Sequence, residues 1–204
     1  MRDRLISGGL MALGAAVLGG FVLMQSGIAS RAATAEDGPG PNLVIQVDGQ
    51  AKGKIVIDLL PEVAPKTVAQ VVKLAKEGAY DGVVFHRVIA GFMAQTGDVQ
   101  YGKKGGDLSR AGMGGSDLPD LPAEFSKQPF ERGTVGMARA MDPNSGNSQF
   151  FIMFAPAPHL NGQYTVFGHV IEGMDVVDAI KKGDAASNGK VDDPDWMAKV
   201  TVTE

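Results

Sequence analysis

No cysteine occurs anywhere in the chain. That one absence removes disulfide stapling, thiolate metal sites, thiol nucleophiles and a lipidated-cysteine anchor together. It agrees with an oxidising compartment without requiring one. Histidine is scarce too. His86, His159 and His169 are the whole complement; none has metal-ligand spacing, and no serine sits in a motif that would pair with one of them as a nucleophile. His86 and His169 are read as structural, and no metal or other cofactor is expected. Tryptophan occurs once, at Trp196. Basic residues are in the minority: the net charge is −4, and without residues 1–35 (three basic, one acidic) 16 basic and 22 acidic residues remain, a charge of −6. Such a balance invites neither nucleic acid nor an anionic membrane surface.

What is present divides the chain in two. Arg2 and Arg4 precede an uncharged run over residues 5–24, and small residues then lead to Ala33-Thr34-Ala35 before Glu36. A basic start, an apolar stretch and a small-residue cleavage motif are the three parts of a secretory signal, while about 20 apolar residues also suffice to cross a bilayer. Residues 1–35 are therefore read as a signal peptide or an N-terminal membrane anchor, with residues 36–41 as a linker. A core helix fits badly, because every face is apolar and Asp37-Gly38-Pro39-Gly40-Pro41 detaches the run from the body of the chain. Basic residues before the run place the body outside the cytoplasm, in the periplasm or secreted, or inner-membrane anchored facing the periplasm. A membrane is a partner only if the segment stays attached.

Residues 42–204 form one domain of ordinary size. Apolar alternation at 43–47 and 54–59, separated by Asp48-Gly49-Gln50, reads as paired strands. Pro65 opens a helix with Val68, Val71, Val72 and Ala75 at helical spacing and Gly78 at its end. A second helix is expected over 174–182. Six further strand-like runs lie at 83–89, 92–95, 134–138, 149–154, 165–170 and 199–203, each bounded by Gly, Pro, Asn or Asp. Eight short strands and two helices predict a mostly β fold, a closed antiparallel barrel capped by helices. The segment 99–129, glycine-rich and aperiodic, is a functional or mobile loop.

The run Phe85-His86-Arg87-Val88-Ile89-Ala90-Gly91-Phe92-Met93-Ala94-Gln95-Thr96-Gly97-Asp98 closely resembles the signature of the cyclophilins, and in particular of exported bacterial members. Ser148-Gln149-Phe150-Phe151-Ile152 and Val166-Phe167-Gly168-His169-Val170 are second and third matches in register. The resemblance implies peptidyl-prolyl cis/trans isomerisation of unfolded or flexible polypeptides that contain proline, by a monomer. The reaction faces a barrier of roughly 18–20 kcal/mol from amide resonance. A donor to the imide nitrogen weakens that resonance, and arginine offers a rigid, permanently charged fork of N–H groups.

By resemblance the donor is Arg87, with Gln95 orienting it or holding substrate backbone. Phe92, Met93, Phe151 and Leu160 hold the proline ring. Ala138 and Arg139 lie on the strand that binds peptide through its main chain, with Gln149, His159 and Tyr164 completing the groove. Alternation along the chain supports the grouping: Gln149, Phe151 and Met153 share one face while Phe150, Ile152 and Phe154 turn to the other, and Met93 and Gln95 point together. Asp98, Asp175 and Asp178 are turn and helix-surface groups. Three positions depart from the familiar pattern: His159 stands where a tryptophan is usual, Tyr164 for a histidine and Arg139 for an asparagine. Two alternatives to an exported folding catalyst are a non-catalytic prolyl-peptide binding module and a membrane-tethered assembly factor. Arg87 argues against the first.

Overall fold

The computed structural model describes residues 36–204, so the reading of residues 1–35 as a signal or anchor lies outside the described residues. Nine strands form one sheet: β1 (Asn42–Asp48), β2 (Gly53–Leu59), β3 (Val83–Val84), β4 (Arg87–Ile89), β5 (Met93–Thr96), β6 (Thr134–Met137), β7 (Phe150–Met153), β8 (Val166–Glu172) and β9 (Trp196–Thr203). The spatial order is β3-β9-β1-β2-β8-β6-β7-β5-β4, and every pairing is antiparallel.

Nine strands replace the expected eight because residues 83–89 break in the middle. Phe85 and His86 leave the ladder, with β3 staying on β9 and β4 on β5. Those are the two ends of the sheet, so the chain itself ties the ends of the curled sheet together. The break leaves few backbone groups orphaned. Phe85 N donates to Asp195 O and Val88 N to Gly189 O, both at 2.8 Å.

Alternation decides what each strand buries. Phe150 and Ile152 of β7, with Phe154 just beyond, join Leu43, Ile45, Ile57 and Phe167 in the main core. Phe151 and Met153 turn the other way and pack with Met93, Phe130, Leu160 and Val166 in a smaller cluster on the outer face.

Helix α1 (Pro65–Lys76) buries Val68, Val71, Leu74 and Ala75 against the main core and ends where Gly78 adopts φ 71°, a left-handed C-terminal stop that glycine adopts without strain. Helix α2 (Met174–Ala179) is shorter than the sequence reading, which carried it to Lys182. Ile180 turns extended at φ −52°, ψ 131° and buries its side chain, while Lys181 N is captured by the Asp195 carboxylate at 2.8 Å.

The long segment after β5 is held by side chains rather than by periodic structure. The fully buried Asp98 accepts from the amides of Gln100, Tyr101, Gly112 and Gly114 at 2.7–3.1 Å. Asn147 anchors the same loop, its Oδ1 accepting from Ser116 N and its Nδ2 donating to Leu118 O and Asp120 Oδ1.

Candidate active site

The sheet register assembles the site. Arg87 of β4 lies opposite Gln95 of β5, Gln95 opposite Phe151 of β7, and Phe151 opposite Gly136 of β6, so one rung crosses four strands. Directly opposed residues share a face, which puts the guanidinium, the amide and the aromatic ring side by side. Gly136 ends the rung for a packing reason. A Cβ there would come within 2.5 Å of the Phe151 ring and 2.6 Å of Phe130, whose rings stack at 5.7 Å in the space that glycine leaves.

Above this rung is a cavity of about 190 Å³ lined by Arg87, Phe92, Met93, Gln95, Ala138, Arg139, Phe151, Leu160 and Tyr164. Its apolar lining is supplied by Met93, Phe151 and Leu160, all buried in the outer cluster, and by Phe92, half-buried against it. Phe151 is pinned between the Phe130 ring and the edge of Tyr164, 5.7 Å from each. Nine of the eleven predicted site residues therefore converge here. Gln149 lines an adjoining cavity of about 210 Å³ that shares Gln95, Ala138 and Arg139 with the first. His159 lines neither. It lies exposed against Phe92, ring centroids 5.9 Å apart and 29° from parallel, because the short 3-10 turn Pro158–Leu160 sends Leu160 inward and its neighbour outward.

Arg87 is fixed from two directions. Nη1 donates to Gln95 Oε1 at 3.1 Å; Nε and Nη2 donate to the backbone and side-chain oxygens of Asn188, each at 3.0 Å. Three of the five N–H groups are thus held by oxygen, leaving one on each terminal nitrogen, with Met93 Sδ 3.9 Å from Nη1. All these acceptors are neutral. Burial lowers the Arg87 pKa from the usual guanidinium range, opposed by Tyr164, and the group remains charged at physiological pH.

The amide chain continues outward. Gln95 Nε2 donates to Gln149 Oε1 at 3.0 Å, and Gln149 Nε2 donates to the carbonyls of Gly112 and Gly114 at 3.0 and 2.8 Å. Since Asp98 grips the amides of those same two glycines, the orientation of Arg87 is tied to the long loop.

Past the end of β6 the main chain leaves the ladder. β6 ends at Met137, and Ala138 N is taken by Gln149 O at 2.9 Å, whereas the backbone of Arg139 has no hydrogen-bond partner among the described residues. A free N–H and C=O on one residue are what strand addition requires.

Sequence reasoning missed Asn188, which reaches Arg87 across 101 positions. The local signal was the Asn188-Gly189 pair, a turn dipeptide in which Asn188 takes φ 53°. Trp196 lines neither cavity: it starts β9 under the Lys104 ammonium, which lies 4.2 Å from its ring. His86 and His169, read as structural from the sequence, line neither cavity of the groove. His86 is buried with neither nitrogen hydrogen-bonded, and His169 is half-buried on β8. Asp178 pairs with Arg132 on the surface, again outside the groove.

Residues 43–202 match the family described as cyclophilin type peptidyl-prolyl cis-trans isomerase/CLD. The chain belongs to the cyclophilins. It is 56% identical to a probable peptidyl-prolyl cis-trans isomerase of Brucella suis over 184 residues, 89% of this chain and 91% of that one. Identity to peptidyl-prolyl cis-trans isomerase B of Bacillus subtilis is 41% over 140 residues, 68% of this chain and 91% of the other. A cyclophilin from Hirschia baltica superposes with a TM-score of 0.66 at 27% identity, over 82% of this chain and 75% of that one. As a cyclophilin, the protein catalyses cis-trans isomerisation of peptidyl-prolyl bonds.

Proposed function

We propose that this isomerase works outside the cytoplasm as a folding catalyst, a monomer acting on proline-containing segments of unfolded or flexible polypeptides, with Arg87 as the donor to the imide nitrogen. The observation that carries the assignment of Arg87 is its fixed fork. Neutral oxygens hold three of its N–H groups and leave two beside an apolar pocket. A proline ring gripped by Phe92, Met93, Phe151 and Leu160 brings its nitrogen to that fork while the preceding carbonyl swings. As the nitrogen becomes pyramidal its lone pair leaves the amide system and accepts a hydrogen bond that the planar ground state cannot, so the interaction favours the transition state selectively. No covalent intermediate is required. The substrate class has support from a Cryptosporidium parvum cyclophilin type peptidyl-prolyl cis-trans isomerase, whose crystal structure was determined in the presence of the dipeptide Ala-Pro; it superposes with a TM-score of 0.67 at 26% identity, over 80% of this chain and 99% of that one.

In a protease-coupled isomerase assay, Arg87→Ala is expected to lower kcat/KM at least about tenfold, or roughly 1.4 kcal/mol, with the fold retained. A folded variant of undiminished activity refutes the role. The export reading rests on residues 1–35. N-terminal sequencing of protein recovered from the native envelope should give a start near Glu36. A detergent-requiring chain that begins at Met1 would assign the anchor, and a full chain recovered in the cytosol would overturn export.

A further inference from the structure

We propose that the groove selects proline segments carrying a carboxylate side chain near the proline, and that Arg139 confers this selectivity. The proposal rests on the groove being the prolyl-peptide site, and it stems from how charge is distributed there. The two adjoining cavities share a wall of Gln95, Ala138 and Arg139. Across both linings the charged side chains are Arg87 and Arg139, and no carboxylate faces either cavity. In a body with more acidic than basic residues, this is a locally cationic surface.

Arg139 is immobilised without being neutralised. Nε and Nη2 donate to Gln163 O at 3.4 and 3.0 Å, and Nη1 donates to Ala140 O at 2.9 Å and Met141 O at 3.4 Å. Its guanidinium lies over the Tyr164 ring, 4.4 Å from the centroid. Every polar partner is a backbone carbonyl. Among the described residues neither Arg139 nor Arg87 joins an ion pair. Asp142, three residues beyond Arg139, accepts from Asn144 N at 2.8 Å and forms no ion pair with that arginine.

A guanidinium already held flat loses little rotamer freedom when a carboxylate arrives, and the resulting contact is charge-assisted. Arg139 borders the ring pocket as well as the second cavity, so the carboxylate it meets belongs to a residue within one or two positions of the proline. A lysine at that position meets two cations instead. Selectivity then arises from attraction to one class of segment and repulsion of another.

The test measures exchange rates by NMR for short prolyl peptides bearing Glu, Gln or Lys at each position from two before to two after the proline. The readout is the Glu-to-Gln ratio of kcat/KM, which is independent of any overall activity a variant loses. At one position at least, the wild-type ratio is expected to be about threefold or more at low salt, as suits one partly exposed ion pair. It should fall towards one in 1 M salt, where the Debye length is about 3 Å. Arg139→Gln should abolish the preference and Arg139→Lys should retain part of it. Turnover of Gln peptides without any preference for Glu overturns this proposal alone, as does a preference that survives Arg139→Gln. Absence of turnover for every peptide strikes instead at the groove as the prolyl site.

Discussion

At the scale of single residues, the site depends on how a flexible cation is held still. Gln95 grips one arm of Arg87, and Asn188 grips the other arm and the Nε. The two contacts from Asn188 differ in origin, one from its side chain and one from its backbone, and both need the left-handed conformation at φ 53°. Asn188→Gly is therefore the informative change, since glycine keeps that conformation at no steric cost and removes only the side-chain bond. Loss of one charge-assisted hydrogen bond is worth about 1.5 kcal/mol, so kcat/KM should drop roughly tenfold. Steady-state measurements on prolyl peptides check this, and an unchanged kcat/KM would show that Gln95 and the backbone carbonyl at position 188 suffice to aim the guanidinium.

At the scale of elements, helix α1 shows a start signal that its own sequence does not carry. Ala64 occupies the N-cap and has no side-chain acceptor. The acceptor comes from the long loop: Glu124 takes Lys66 N at 3.0 Å and Thr67 N at 2.9 Å, and also the Thr67 hydroxyl at 2.7 Å. Its negative charge also sits at the positive end of the helix dipole. One carboxylate thus caps a helix and pins a loop. Glu124→Ala should destabilise the fold by about 1–2 kcal/mol, the range of a lost N-cap, read as a lower urea midpoint with little change in slope. A midpoint equal to wild type would mean that water replaces the carboxylate at no cost.

At the scale of the whole molecule, the break between β3 and β4 that ties the sheet's ends together also buries an imidazole. His86 packs beneath Gly112 with both nitrogens unpartnered. Burial lowers its pKa from 6.5 to about 4; the neighbouring Asp98 opposes the shift and Arg87 adds to it. Because the folded pKa lies below the unfolded one, the unfolded chain binds the extra proton. Stability from the neutral ring is fully present above about pH 6.5 and is lost as pH falls towards 4, by up to about 3 kcal/mol. Urea midpoints of wild type should therefore decline between pH 7 and 4.5. His86→Gln should flatten that decline, with His169, whose pKa burial also lowers, carrying part of what remains. Identical pH profiles for the two proteins would remove His86 from the account.

The alternation of β5 and β7 was legible in the sequence because side chains change face at every residue: it separates Met93, Gln95 and Phe151 from Ala94, Phe150 and Ile152 by position alone. The signature run likewise placed Arg87, Phe92, Met93 and Gln95 together, because two short paired strands bring these near neighbours in sequence to one cavity. Other features depended on contacts between distant segments. Asn188 on Arg87, Glu124 on α1, Asp98 beneath the loop at Gly112 and the outward turn of His159 each pair groups whose sequence separation, or whose direction from a turn, no local pattern encodes. Residues 83–89 show the same division within a single run. Their apolar content determined that they would be buried in the sheet, but only the meeting of the sheet's two ends decided that Phe85 and His86 must leave the ladder, because one strand cannot follow two diverging neighbours at once.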